Sequence, residues 1–145
     1  MDVKRIKRYK EKEEYLTKIL KKLYEWTRDL KEKDFINNQN LKEQFSIYHA
    51  YQVVMEIVAD LTAMVVKDIN IIPKDDYLNF DILVENEIIS KSIANNLKHA
   101  NGLRNRIVHN YNGLDEKIAL KSIKKYYPYF EKFKNGIDKW LKEKK

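Results

Sequence analysis

The chain has 145 residues, a formal charge of +7, 43% hydrophobic and 12% aromatic residues, and no cysteine. It is too apolar for a disordered segment and suits one domain over residues 1–145, while the missing cysteine excludes disulfides, thiolate zinc sites and a sulfur nucleophile. Glu43 and Glu56 bracket the longest uncharged stretch of the apolar middle, short of the roughly 18 residues that span a bilayer, and Met1–Arg5 is basic with no continuous apolar signal segment, so no membrane partner and a cytoplasmic location are expected.

Only 3 Gly and 2 Pro occur, and apolar residues recur at three- and four-residue steps, which predicts an all-α, up-and-down bundle of about five helices. The first helix is expected over residues 3–32, with Ile6, Tyr9, Leu16, Ile19, Leu20, Leu23 and Leu30 on one stripe. Asp34–Asn40 is rich in side chains that compete for backbone hydrogen bonds and reads as the first connection. From Leu41 to Val66 the apolar arc widens (Phe45, Tyr48, Val53, Val54, Ile57, Val58, Leu61, Met64, Val65), as for a central helix touched on several sides. Pro73 disfavours helix at Ile72, and Asp75 and Asp76 then start a short helix near 77–86. Ser90 caps a fourth helix through Ile93, Leu97, Ala100, Leu103 and Ile107, ending near Asn110 to Gly113. Asp115 starts the last helix, whose apolar positions are Ile118, Ile123, Tyr126, Tyr127, Phe130, Phe133, Ile137, Trp140 and Leu141 and which Pro128 is expected to kink or split.

Charge is segregated. Residues 1–33 carry a net +5, residues 34–90 a net −7 and residues 91–145 a net +9. Basic ends suit a polyanion such as RNA, and an acidic middle suits a basic protein surface or a second copy of the chain. Lysine-rich helices also serve as plain solvated faces, so charge by itself selects no partner.

Near-neutral proton transfer points to three histidines, His49, His99 and His109. His49 lies among Ile47, Tyr48 and Ala50 in the central helix and is expected to be a hydrogen-bonded core residue. His99 forms no zinc-ligand spacing with His109, and no metal or other cofactor is expected. His109 differs: Arg104-Asn105-Arg106-Ile107-Val108-His109-Asn110-Tyr111 packs two guanidiniums, an imidazole, amides and a phenol into eight residues. Cleaving RNA through its own 2′-hydroxyl needs a proton removed, the leaving oxygen protonated and charge on the phosphoryl group stabilised, which imidazole and guanidinium supply without metal. In that reading Arg104 grips phosphate, His109 is the acid or base, and Asn105 positions a neighbour or a substrate oxygen. An Arg and a His at a helix C-terminus also complement its dipole without any chemistry, so both readings stand at this point.

The segment Gly102-Leu103-Arg104-Asn105-Arg106-Ile107-Val108-His109-Asn110-Tyr111 resembles the signature of HEPN-domain ribonucleases: an Arg, four to six residues beginning with a polar one, then a His. The Tyr two residues beyond the His resembles the branch of HEPN toxins paired with minimal nucleotidyltransferase antitoxins, and Arg104, Asn105, His109 and Tyr111 each match it. The similarity extends more weakly through the central apolar helix, the Pro-containing loop and Glu85-Asn86-Glu87-Ile88-Ile89. It implies a small helical bundle that dimerises, and a metal-independent endoribonuclease toxin acting on RNA. It further implies that Arg104 and His109 of both subunits line one cleft, and that the antitoxin silences the enzyme by attaching AMP to Tyr111. Asn110 and Asn112 depart from the acidic residues frequent in relatives, a difference that bears on the antitoxin's fit more than on cleavage.

At about 100° per residue Arg104 and Tyr111 share a stripe, whereas Arg104 and His109 lie about 140° apart. Either the helix unwinds before His109 or a twofold partner brings a second Arg104 and His109 to a shared groove. Glu56 and Asp60 share a face of the central helix, where they face solvent, bond Arg104 or pair across an interface. Tyr126, Tyr127 and Tyr129 are assigned to packing, and Arg106 leads Lys98, Lys121, Lys124 and Lys125 as a candidate to guide RNA. The alternative function is a non-catalytic module that binds a nucleotide or a nucleotidyltransferase; a third is a structural dimer.

Overall fold

The computed structural model describes residues 1–109 and 113–144, the Asn38 side chain aside. Six α-helices are present among them, with no strand: α1 (Val3–Thr27), α2 (Glu32–Phe35), α3 (Leu41–Asp68), α4 (Asp76–Glu85), α5 (Lys91–His109) and α6 (Glu116–Glu143), plus a 3-10 turn at Asn38–Asn40.

The Asp2 carboxylate caps α1 by accepting from the Lys4 N–H at 2.9 Å. Tyr9, Leu16, Leu20 and Leu23 then recur on one face and are fully buried. The helix ends at Thr27, five residues earlier than its periodicity predicts. Phe35 is the reason: its ring is fully buried, edge-on to Tyr48 at 5.4 Å, and the chain must leave the α1 axis to put it there. The expected connection therefore contains the short helix α2, pinned where Gln44 donates to the Phe35 carbonyl (3.1 Å) and Lys124 to the Leu30 carbonyl (2.7 Å). As expected of an Asn-rich turn, the Asn37 side chain accepts from the Gln39 N–H.

α3 is the central helix. Val54, Val58, Leu61, Val65 and Val66 are fully buried, and the helix packs against α1, α4, α5 and α6. It is long and apolar enough by composition to cross a membrane, but most of it is enclosed by these neighbours. One strip stays at the surface, running Phe45, His49, Gln52 and Glu56 at helical spacing. Phe45 is thus 63% exposed rather than inward-facing, and so is Ile118 on α6 at 57%.

Chain directions follow from the contacts. α1 runs antiparallel to α3, with Arg5 and Tyr9 bonding Asp68 at one end and Lys12 meeting Asp60 further along. It also runs antiparallel to α6, through Tyr9–Trp140, Lys10–Asp138 and Tyr24–Tyr127. α4 lies beside α5, fastened by a 2.6 Å contact from Lys98 to Asp81. Asp75, Ser90 and Asp115 cap α4, α5 and α6 as their sequence positions foretell. α6 continues through Pro128 as one helix instead of splitting; Pro128 is exposed, where water can satisfy the carbonyl its missing N–H frees. At Gly136 a Cβ would stand 2.7 Å from the Ile88 carbonyl oxygen, so glycine lets the 86–90 loop close against α6.

Glu13, on the α1 face between Tyr9 and Leu16, is buried at 8% exposure and one of its oxygens has no partner. Burial first, and the neighbouring Asp138 carboxylate second, push its pKa up from 4.5 to about 7. The folded chain therefore holds this proton more tightly than the unfolded chain, so the stability Glu13 contributes is full below pH 4.5 and is lost as pH rises through 7. Glu13→Gln is expected to match the wild type at pH 5 and to exceed it by about 2 kcal/mol at pH 8 in denaturant titrations. Parallel stability profiles for the two proteins would contradict this.

Candidate active site

The motif helix α5 is held to α3 from inside. Tyr51, fully buried, donates its hydroxyl proton to the Ala100 carbonyl at 2.6 Å, and burial raises its pKa far above the ordinary phenol value. Leu97, Ala100, Leu103 and Ile107 face the core, leaving the intervening positions to carry chemistry. Arg104 is half-buried, at 27% side-chain exposure; its Nη2 lies 3.7 Å from Glu56 Oε1 across the α3–α5 seam, and its Nη1 donates to Asn105 Oδ1 at 3.2 Å. Gln52 donates to the same Glu56 oxygen at 3.2 Å. The structure thus joins Gln52, Glu56, Arg104 and Asn105 in one polar chain.

His109 is exposed at the last residue of α5. Because α5 is α-helical through His109, unwinding before it does not bring it round to Arg104, and the two side chains leave the helix about 140° apart. Tyr111, with Asn110 and Asn112, lies outside the described residues. Arg106 is exposed beside a shallow cleft formed by Leu103, Leu114, Asp115 and Ile118, and no acidic side chain pairs with it among the described residues.

Other candidates sort clearly. His49 is exposed, correcting its assignment to the core: it sits on the one strip of α3 that no neighbour covers. His99 is exposed on α5. Among the described residues no cluster of three or more His, Asp or Glu side chains is placed to hold a metal ion. Glu56 is exposed and forms an ion pair with Arg104 at 3.7 Å rather than a hydrogen bond, whereas Asp60 meets Lys12 at 3.3 Å. Lys98 and Lys124 are committed to Asp81 and to the Leu30 carbonyl, so they hold the fold, while Lys121 and Lys125 stay exposed. Tyr126 is buried and Tyr127 stacks on Tyr24 at 5.2 Å, which confirms packing for these rings. Sequence reasoning missed Gln52, although its position four residues before Glu56 carried the signal.

A helical bundle of this arrangement recurs among known structures. The fold superposes with a TM-score of 0.78 on a tri-AMPylated Shewanella oneidensis HEPN toxin in complex with MNT antitoxin, 23% identical, over 95% of this chain and 98% of that one. A protein of Archaeoglobus fulgidus named "Putative RNase" is 31% identical over 139 residues, 96% of this chain and 97% of the relative. The mRNA nuclease HepT of Shewanella oneidensis is 34% identical over 62 residues, 43% of this chain and 47% of its own length. The family model described as ribonuclease HepT-like matches residues 12–137. The chain belongs to the HepT-like ribonuclease family.

Proposed function

We propose that the protein is a homodimeric, metal-independent endoribonuclease toxin of the cytoplasm, silenced when a minimal nucleotidyltransferase antitoxin attaches AMP to Tyr111. One observation carries the dimeric site: α5 stays helical through His109, so a single chain turns its motif guanidinium and imidazole about 140° apart. A twofold partner supplies the missing half, because an isologous contact duplicates Arg104 and His109 across one groove.

In that groove the RNA 2′-oxygen attacks the adjacent phosphorus as one neutral His109 imidazole takes its proton. The bond from phosphorus to the 5′-oxygen breaks, and the second subunit's protonated imidazole delivers a proton to that oxygen. The products are a 2′,3′-cyclic phosphate and a 5′-hydroxyl. Arg104 meets the charge that grows on the phosphoryl oxygens, with its guanidinium steadied by Asn105 at 3.2 Å. Exposed Arg106 extends the positive field along the RNA backbone. An adenylate on Tyr111, two residues beyond His109, would place negative charge and bulk where RNA phosphate must approach.

Purified protein with labelled RNA and excess chelator is expected to cleave, and His109→Ala to lower the rate at least about 100-fold with its melting midpoint retained. Intact RNA with the wild type would contradict the nuclease reading, and retained nucleotide binding would then favour the non-catalytic module. Mass spectrometry after coexpression with the antitoxin is expected to place adenylate on Tyr111; a silenced toxin with unmodified Tyr111 would contradict the proposed regulation.

A further inference from the structure

We propose that Glu56, oriented by Gln52, is a positioning residue for RNA cleavage: it fixes the Arg104 guanidinium so that its remaining N–H donors are presented to the phosphoryl oxygens. The inference rests on the nuclease reading above and assigns a role to a helix that lies outside the Arg-x4-His motif.

Three observations converge. Glu56 Oε1 stands 3.7 Å from Arg104 Nη2, the one acidic contact Arg104 makes among the described residues. The same oxygen accepts from Gln52 Nε2 at 3.2 Å, so the carboxylate is itself held from one turn earlier on α3. On its other side Arg104 Nη1 donates to Asn105 Oδ1 at 3.2 Å. A guanidinium has five N–H donors in a rigid plane, and two anchors define the orientation of that plane. Asn105 takes one Nη1 hydrogen, Glu56 attracts Nη2 as an ion pair at 3.7 Å, and the remaining N–H donors are enough for a forked contact to phosphate.

Glu56 is 48% exposed and Arg104 27%, and an ion pair this open contributes little to stability. Its effect belongs to the reaction. A negative charge beside the phosphate-binding group disfavours ground-state binding of RNA, so the gain must come from orientation in the transition state, where charge on the phosphoryl group grows. Asp60, one turn further on the same helix face, is tied to Lys12 at 3.3 Å and serves as the control carboxylate.

Steady-state cleavage of a labelled RNA by the full-length protein tests this. Glu56→Ala is expected to lower kcat about tenfold or more with KM changed less than about twofold, and Glu56→Gln, which keeps the acceptor oxygen, to recover part of the loss. Gln52→Ala should shift kcat in the same direction by a smaller factor. In an Arg104→Ala background, Glu56→Ala should change kcat less than about twofold, since its effect acts through the guanidinium. Asp60→Ala should match the wild type, and all variants should share its melting midpoint. An unchanged or raised kcat in Glu56→Ala and Glu56→Gln, or a full additional loss in the Arg104→Ala background, overturns the proposal and leaves the nuclease reading standing. Absence of cleavage by the wild type overturns both.

Discussion

The seam between α3 and α5 is the constraint on which the rest depends. α3 must bury apolar side chains against four neighbouring helices, and a helix so enclosed has a single narrow strip left for polar groups. That strip holds Gln52 and Glu56, beside the helix that carries Arg104. The buried hydrogen bond from Tyr51 to the Ala100 carbonyl sets the register one turn before the motif, so the apolar interior and the polar surface of the seam fix each other. Changing the core would therefore move the guanidinium, and the candidate site reads as an outcrop of the packing.

Helix caps are legible in the sequence because they are local. Asp75, Ser90 and Asp115 each cap the helix they announce, and the apolar periodicity of α1, α3, α5 and α6 names most of the core. What failed was decided by distant partners. The early end of α1 follows from burying Phe35 against Tyr48, and nothing near residue 27 signals it. The sequence neighbours of His49, namely Ile47, Tyr48 and Ala50, are all buried, but successive residues on a helix point about 100° apart, so their burial does not transfer to it. Phe45 and Ile118 show the same limit in apolar residues. Pro128 leaves α6 undivided because it falls on the exposed side.

The candidate site was legible in part. Arg104, Asn105 and His109 stand out as a dense group of phosphate-handling side chains, and the structure joins the first two directly while leaving His109 on another side of the same helix. Glu56 is visible as a carboxylate on the right helix, but its contact with Arg104 depends on how α3 and α5 cross, which no local pattern encodes. The charge segregation of the sequence also takes on a spatial meaning: the acidic middle supplies α3 and α4, whose Glu56 and Asp81 pair with Arg104 and Lys98 of α5. Part of the acid in the middle and part of the base in the C-terminal third are thus consumed inside one chain, and exposed residues such as Arg106, Lys121 and Lys125 remain for a polyanion.

The account stands on two His109 side chains facing each other across one groove, and the cysteine-free chain makes a direct measurement simple. A His109→Cys variant carrying one spin label per subunit reports the separation by pulsed dipolar spectroscopy. A single short separation, on the scale of one phosphodiester and its flanking sugars, is the predicted result. A separation equal to the full width of two bundles, or no dipolar coupling at all, would contradict it.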